Sequence, residues 1–331
     1  MTYREALLAC MDGALRDYRD TIVLGQGVAD HKGLFGSTLG LVDTYGPDRV
    51  MDMPIAEESM TGIAVGLALN GMYPILTHMR MDFVLAAMNQ MVNLVAKYRY
   101  MFGGRFRIPM LIRMVVGRSW GQGAQHSQAL TAMVSHIPGF TVLTPATASI
   151  VATEYPRILR ERTGPVVSIE HRLLYDIEDT PLAHAGDDLT IVAISLMTVE
   201  AVRAARYAAR HQVYCDVIDI PYPSHIDVNP ILYSLERTGK LLILDIGWSP
   251  FGLSAEICRL VAERCPQLLC RPVVSLGTAF CPCPTSKPLE DLFYPDQSRI
   301  VGAIAKLADK EIPVPLPSST VQDYRKFRGP F

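Results

Sequence analysis

Short runs of valine, isoleucine and leucine, each bounded by glycine or proline, recur along this chain and are separated by stretches with helical periodicity. Thr21–Leu24, Pro74–Thr77, Pro109–Val116, Thr141–Leu143 and Pro165–Ile169 are such runs. Strands that read as unbroken apolar runs are covered on both faces, and parallel strands need crossovers, so the rhythm predicts a parallel sheet flanked by helices. From His171 to Asp188 the periodicity is lost and Pro181, Gly186 and several acids gather, which predicts a linker. A second series follows, with strands over Leu189–Ser195, Val213–Ile218, Lys240–Asp245 and Pro272–Leu276 and helices over Glu200–His211 and Leu253–Arg264. The fold class expected is α/β with two parallel-sheet domains, over residues 1–180 and 187–331, and a chain of 331 residues is long enough to bury two cores.

Charge and cysteine usage exclude several partners. A formal charge of −2 without blocks of like charge leaves no basic surface for a phosphate backbone, so nucleic acid is not expected. The stretch between Glu58 and Arg80 carries no formal charge, but Asn70-Gly71 reads as a helix stop and Pro74 begins an extended segment. That leaves a helix of about ten residues where a bilayer needs about 20, so a buried helix is expected and no membrane span. Seven cysteines, an odd number scattered over Cys10, Cys215, Cys258, Cys265, Cys270, Cys281 and Cys283, make no disulfide framework in a chain of this size. Cys281-Pro-Cys283 lacks a second pair at zinc spacing. The first residues carry Glu5, Asp12 and Asp17 in an amphipathic stretch, unlike a secretory or transit segment, and a cytoplasmic location is expected.

Some motifs tempt and fail on context. Gly25-Gln-Gly27-Val-Ala-Asp30 follows a strand as a dinucleotide fingerprint does, but Asp30 stands where the third glycine belongs and would oppose a pyrophosphate. Gly117-Arg-Ser-Trp-Gly121 matches the nucleophile elbow of an α/β serine hydrolase, which makes Ser119 the nucleophile of a rival reading. An elbow passes straight into a helix, whereas Gln122-Gly123 continues the loop and Ser127-Gln128 looks like the helix start. Of the downstream histidines His184, His211 and His225, none has a context that marks a triad. P-loop, HExxH and EF-hand patterns are missing.

Two segments carry more promising side chains. Glu57 and Glu58 precede the charge-free helix, where the macrodipole favours a carboxylate; a first-turn charge and a functional carboxylate beside a glycine-bearing buried helix are both open readings. Gln125-His-Ser-Gln128 follows a glycine-rich loop, a place suited equally to a proton-transferring His126 and to a surface or capping histidine.

Taken in order, the segments Phe35–Leu41, Tyr45–Val50, Pro54-Ile-Ala-Glu57, Asp82-Phe83, Asn93, Ala96–Met101, Gly103-Gly104, Gln125–Gln128, His136–Gly139, Glu170–Tyr175, Gly247-Trp248 and Ala255–Ile257 form a collinear pattern. It resembles the β subunit of the E1 component of 2-oxo acid dehydrogenases, a transketolase-like thiamine-diphosphate family, over nearly the whole chain. The resemblance implies a pyrimidine-binding domain followed by a transketolase C-terminal domain, both Rossmann-like. It implies that Glu57 bonds N1′ of the cofactor's aminopyrimidine, that Phe83 stacks on that ring with Met79 beside it, and that His126 faces the substrate. Gly62–Gly66 looks like the family's interface motif.

The Gly-Asp-Gly motif that holds Mg²⁺ and diphosphate in the family's α subunit is absent from this sequence. The resemblance therefore implies an α-type E1 or transketolase N-terminal-like partner in an α₂β₂ heterotetramer. The reaction it implies is decarboxylation of a 2-oxo acid with acyl transfer to a lipoyl-bearing acyltransferase. Departures bear on substrate: Gln26 stands where an acid is usual, His78 and Arg80 where members are less basic, and Asn89 for an aspartate. The loop Arg118–Gly123 with Glu170-His-Arg172 is closer to members that accompany carbohydrate pathways, which keeps transfer of a ketol or acyl unit to a sugar aldehyde as the alternative.

Overall fold

The computed structural model describes residues 1–117, 121–179, 181 and 186–315. The chain forms two compact units, one of Met1–Gly117 with Met133–Thr180 and one of Arg118–Ala132 with Pro181–Phe331. In the first unit the described strands are β1 (Thr21–Gly25), β2 (Val50–Asp52), β3 (Tyr73–His78), β4 (Met110–Val116), β5 (Thr141–Leu143) and β6 (Pro165–His171). They form one parallel sheet in the order β2-β1-β3-β4-β6-β5. Every residue of β3 and β4 is buried, which is why these strands read as unbroken apolar runs. In β2 only Val50 is buried, and no run betrays it in the sequence.

The second unit holds β7 (Leu189–Ala193), β8 (Cys215–Asp219), β9 (Leu241–Trp248) and β10 (Val274–Thr278), parallel in the order β10-β9-β7-β8. Ile191 and Val192 of β7 and Leu242 and Ile243 of β9 are fully buried. The two parallel-sheet α/β units are the fold class expected from the sequence.

The linker expected to begin at His171 is instead core at its start. β6 continues to His171, a 3₁₀ turn covers Arg172–Leu174, and Leu173, Leu174 and Tyr175 are buried. The cause is a polar network within the first unit. Arg113, on β4, donates to Glu170 at 2.7 Å, and both side chains are wholly inaccessible. Arg113 also donates to Ser37 Oγ at 2.9 Å, while the Tyr155 hydroxyl donates to Glu170 at 2.5 Å and Tyr175 donates to its other oxygen. Burial opposes the charge on Arg113, but the facing Glu170 carboxylate overrides it and raises the guanidinium's proton affinity. Such a network anchors the segment by hydrogen bonds that no hydropathy pattern records.

The helix Glu57–Leu69 ends at Asn70, as the Asn-Gly punctuation predicted. Among the described residues no helix is long and apolar enough to cross a membrane, and all seven cysteines are free.

Candidate active site

In open parallel sheets, ligands bind beyond the carboxyl ends of the strands. At that edge of the first sheet, Gly25 pairs with Asp52 on one side and Thr77 on the other. A Cβ on Gly25 would lie 2.4 Å from the Thr77 carbonyl oxygen, so only glycine lets β1 and β3 close up here. Past this point Gln26 Nε2 donates to Glu57 Oε1 at 3.1 Å, and the Gly27 amide donates to Asp52 Oδ1 at 2.7 Å. Gly27 adopts φ +70°, and Met79 Cε would sit 2.7 Å from any Cβ placed on it, so Met79 lies directly over the turn.

Glu57 opens the helix Glu57–Leu69 and is 8% exposed, with its carbonyl accepting the Thr61 hydroxyl at 2.8 Å. The amide donors of a helix start favour a carboxylate there. Its neighbour Glu58 is exposed and accepts from Gln90 at 3.1 Å, so the two adjacent glutamates have different surroundings. His78 ends β3 and is 1% exposed; neither ring nitrogen has a hydrogen-bond partner among the described residues. Burial pulls its pKa down to about 4, against the opposing pull of the Glu57 charge, so the imidazole is neutral at physiological pH. Phe83 lies in the 3₁₀ turn Met81–Ala87, which is anchored by the buried Met81 and Val84, and the residue is 40% exposed.

The remaining departures are also placed. The Arg80 guanidinium lies 5.4 Å from the centre of the Phe35 ring, and Asn89 accepts from Asn93 at 2.9 Å. His126 belongs to the second unit, half-buried in the loop that precedes the helix Thr131–Ser135. That helix begins after the Ser127-Gln128 start expected from sequence. Gly121 and Gly123 take φ +65° and +72°, and their backbone passes close to Thr285, which leaves no room for side chains. The structure thus brings Gln26, Glu57 and Met79 together, sets Phe83 just beyond β3, and carries His126 on the other unit. Ser119 and His184 lie outside the described residues.

Residues 1–178 match the pyrimidine-binding domain of transketolase, and residues 179–300 match the transketolase C-terminal domain. The mitochondrial pyruvate dehydrogenase E1 component subunit beta-1 of Oryza sativa is 33% identical over 95% of this chain and 88% of its own length. The chain belongs to the E1 β-subunit family. Other members similar to this E1 β chain are the pyruvate dehydrogenase E1 component subunit beta of Rickettsia bellii, 32% identical over 93% of this chain and 98% of its own, and the acetoin:2,6-dichlorophenolindophenol oxidoreductase subunit beta of Cupriavidus necator, 33% identical over 87% and 89%. A split-gene transketolase, solved as an inactive β4 tetramer, shares the fold with TM-score 0.74 and 21% identity, covering 94% of this chain and all of its own. The E1 β family depends on thiamine diphosphate.

Sequence reading singled out Glu57, Met79 and Phe83 but missed Arg113, whose signal was a lone arginine inside the apolar run Met110–Val116. It placed Gln26 as a neutral replacement near this glutamate, through the family resemblance, and the structure adds the hydrogen bond to Glu57, which spans 31 positions.

Proposed function

We propose that this chain is the β subunit of a heteromeric thiamine-diphosphate enzyme that decarboxylates a 2-oxo acid and transfers the acyl group to a lipoyl carrier. The observation that carries this reading is the nearly buried Glu57 carboxylate, fixed by Gln26 at the start of a helix on the sheet's carboxyl edge. The surroundings fit an aminopyrimidine. One oxygen of Glu57 is engaged and the other is left for a ring nitrogen, Met79 lies over the neighbouring turn, and Phe83 offers an accessible aromatic face. Rings stack on such a face at little electrostatic cost.

When bound, thiamine diphosphate supplies the electron sink that decarboxylation needs. Glu57 holds a proton against N1′ of the ring, and its enclosed position keeps water from competing for that proton. Phe83 and Met79 orient the ring, and His126 moves or stabilises a proton at the substrate oxygen. The diphosphate and its Mg²⁺ are assigned to an α-type subunit, in an α₂β₂ assembly. Exposed apolar side chains on the helix Glu57–Leu69, Ile63 and Leu69, and in the turn Met81–Ala87, Leu85, give such a subunit a surface to cover. The free cysteines are compatible with a cytoplasmic location.

Isothermal titration of thiamine diphosphate and Mg²⁺ into this chain, alone and then with its α-type partner, tests the reading. Binding only by the complex is expected. Tight binding by the isolated chain, or none by either sample, would sink it.

A further inference from the structure

Gln26 and His78 come off neighbouring strands just past a shared register, since Gly25 of β1 pairs with Thr77 of β3. Gln26 reaches the Glu57 carboxylate through its amide at 3.1 Å. His78 is buried within the electrostatic reach of the same carboxylate, and both its nitrogens lack partners among the described residues. Leaving a buried imidazole unpaired is costly and is uncommon in folded proteins unless another group arrives.

Charged groups along this edge are engaged elsewhere, Asp30 among them, which accepts the Lys32 and Gly33 amides at 2.8 and 2.7 Å. Asp52 accepts the Gly27 amide at 2.7 Å, Glu58 accepts from Gln90 at 3.1 Å, and Arg80 lies over the Phe35 ring at 5.4 Å. The side chain bonded to Glu57 is therefore neutral. An amide at position 26 differs from a carboxylate in one decisive respect: it cannot compete for the proton. Two carboxylates at this separation cannot both ionise, so one of them would take up a proton.

We propose that Gln26 and His78 are positioning residues for Glu57, leaving it bonded to an amide and not to a second carboxylate: the Gln26 amide occupies Oε1, and the imidazole of His78 offers a hydrogen bond to the group that arrives at Glu57. The inference rests on the reading of Glu57 as the carboxylate that meets the aminopyrimidine. It gives a mechanical meaning to two departures from the family pattern, the amide at position 26 where an acid is usual and the imidazole at position 78 where members are less basic.

Gln26→Glu tests it with and without cofactor. In the cofactor-free chain, the variant is expected to melt with the parent near about pH 5, where the two carboxylates share a proton, and to fall progressively below it toward about pH 8. In the complex with its α-type partner, the pH profile for hydrogen exchange at C2 of bound thiamine diphosphate should move upward by about one unit or more. His78→Phe keeps the shape and is expected to slow exchange about tenfold without moving the profile, with part of the rate returning in His78→Asn.

If Gln26→Glu does not fold, Gln26→Met keeps the length without the donor and is expected to weaken cofactor binding by the complex about tenfold. Unchanged affinity there, or superimposable melting and exchange profiles in Gln26→Glu, overturns the role of Gln26. Full exchange in His78→Phe overturns that of His78. Glu57→Gln separates this inference from the reading beneath it. Normal exchange in Glu57→Gln defeats both, whereas lost exchange in Glu57→Gln beside an unshifted Gln26→Glu defeats this inference alone.

Discussion

At the carboxyl edge of the first sheet, Gln26, Glu57 and Met79 gather at a turn, and Phe83 beyond β3 is 40% exposed. At the carboxyl edge of the second sheet the polar side chains are turned inward. Ser195, wholly buried, sits at φ 56°, ψ −127° between β7 and the helix Leu196–Ala209. Asp245 accepts the amides of Gly247 at 3.0 Å and Leu253 at 2.9 Å and so ties the end of β9 to the next helix. Asp219 ends β8 and accepts the Thr198 hydroxyl at 2.5 Å; its carboxylate is enclosed although the residue as a whole is half-buried. One architecture is thus used twice. The second sheet encloses its edge groups, whereas the first sets a nearly buried carboxylate beside a turn and leaves Phe83 partly exposed.

Substitutions at each edge should therefore fail differently. The largest effect is expected for Glu57→Gln, which should lower C2 exchange in the complex by about 10²–10⁴-fold, the range for a lost proton-transfer group. Its melting temperature should move little, because a first-turn charge contributes only about 0.3–1 kcal/mol. A large loss of stability with exchange intact would make Glu57 a structural carboxylate, like those of the second sheet. Arg113→Leu should cost about 3–5 kcal/mol in urea unfolding, since it strands a buried Glu170. Pairing it with Glu170→Met should recover much of that loss, and failure to recover would show that the tyrosines, not the ion pair, dominate the network.

Asp219 sharpens the contrast from the other side. Enclosure raises its carboxyl from 3.8 to about 7, against the opposing bond from Thr198. The folded chain then binds more protons than the unfolded chain between those values, so this group's contribution is greatest at low pH and declines as pH rises through about 7. Asp219→Asn should flatten that decline and gain on the order of 2 kcal/mol near pH 8. An unchanged pH–stability curve would show that the carboxylate is hydrated after all. The smallest effect belongs to Phe83→Ala: stability should hold within about 0.5 kcal/mol, while cofactor binding by the complex weakens by about 0.5–1.5 kcal/mol. Equal binding would remove the ring from the site.

What was legible in the sequence follows from which interactions are local. β4 is readable because all seven of its residues are buried, and β2 is not because one is. The helix of the second unit begins at Leu196 rather than Glu200, because Leu196–Val199 are all buried and show no polar face by which sequence periodicity could assign them to the helix. The supposed linker after His171 is core for the same reason that Arg113 was overlooked: both depend on hydrogen bonds to Glu170 from partners far apart in the chain. Glu57 was ambiguous from its own position, and its functional role was implied only by the collinear family pattern. Its bond to Gln26 belongs to a tertiary meeting of β1 with a helix start, which sequence spacing does not encode.

Gly25 sets the terms on which this site can change over generations. Any side chain there would strike the Thr77 carbonyl at 2.4 Å, whereas Gly62 and Gly66 have room around them. Drift can rewrite Gln26 and His78, but it does so across a seam that cannot widen. Chemistry at this edge is free to diversify because the backbone beneath it is not.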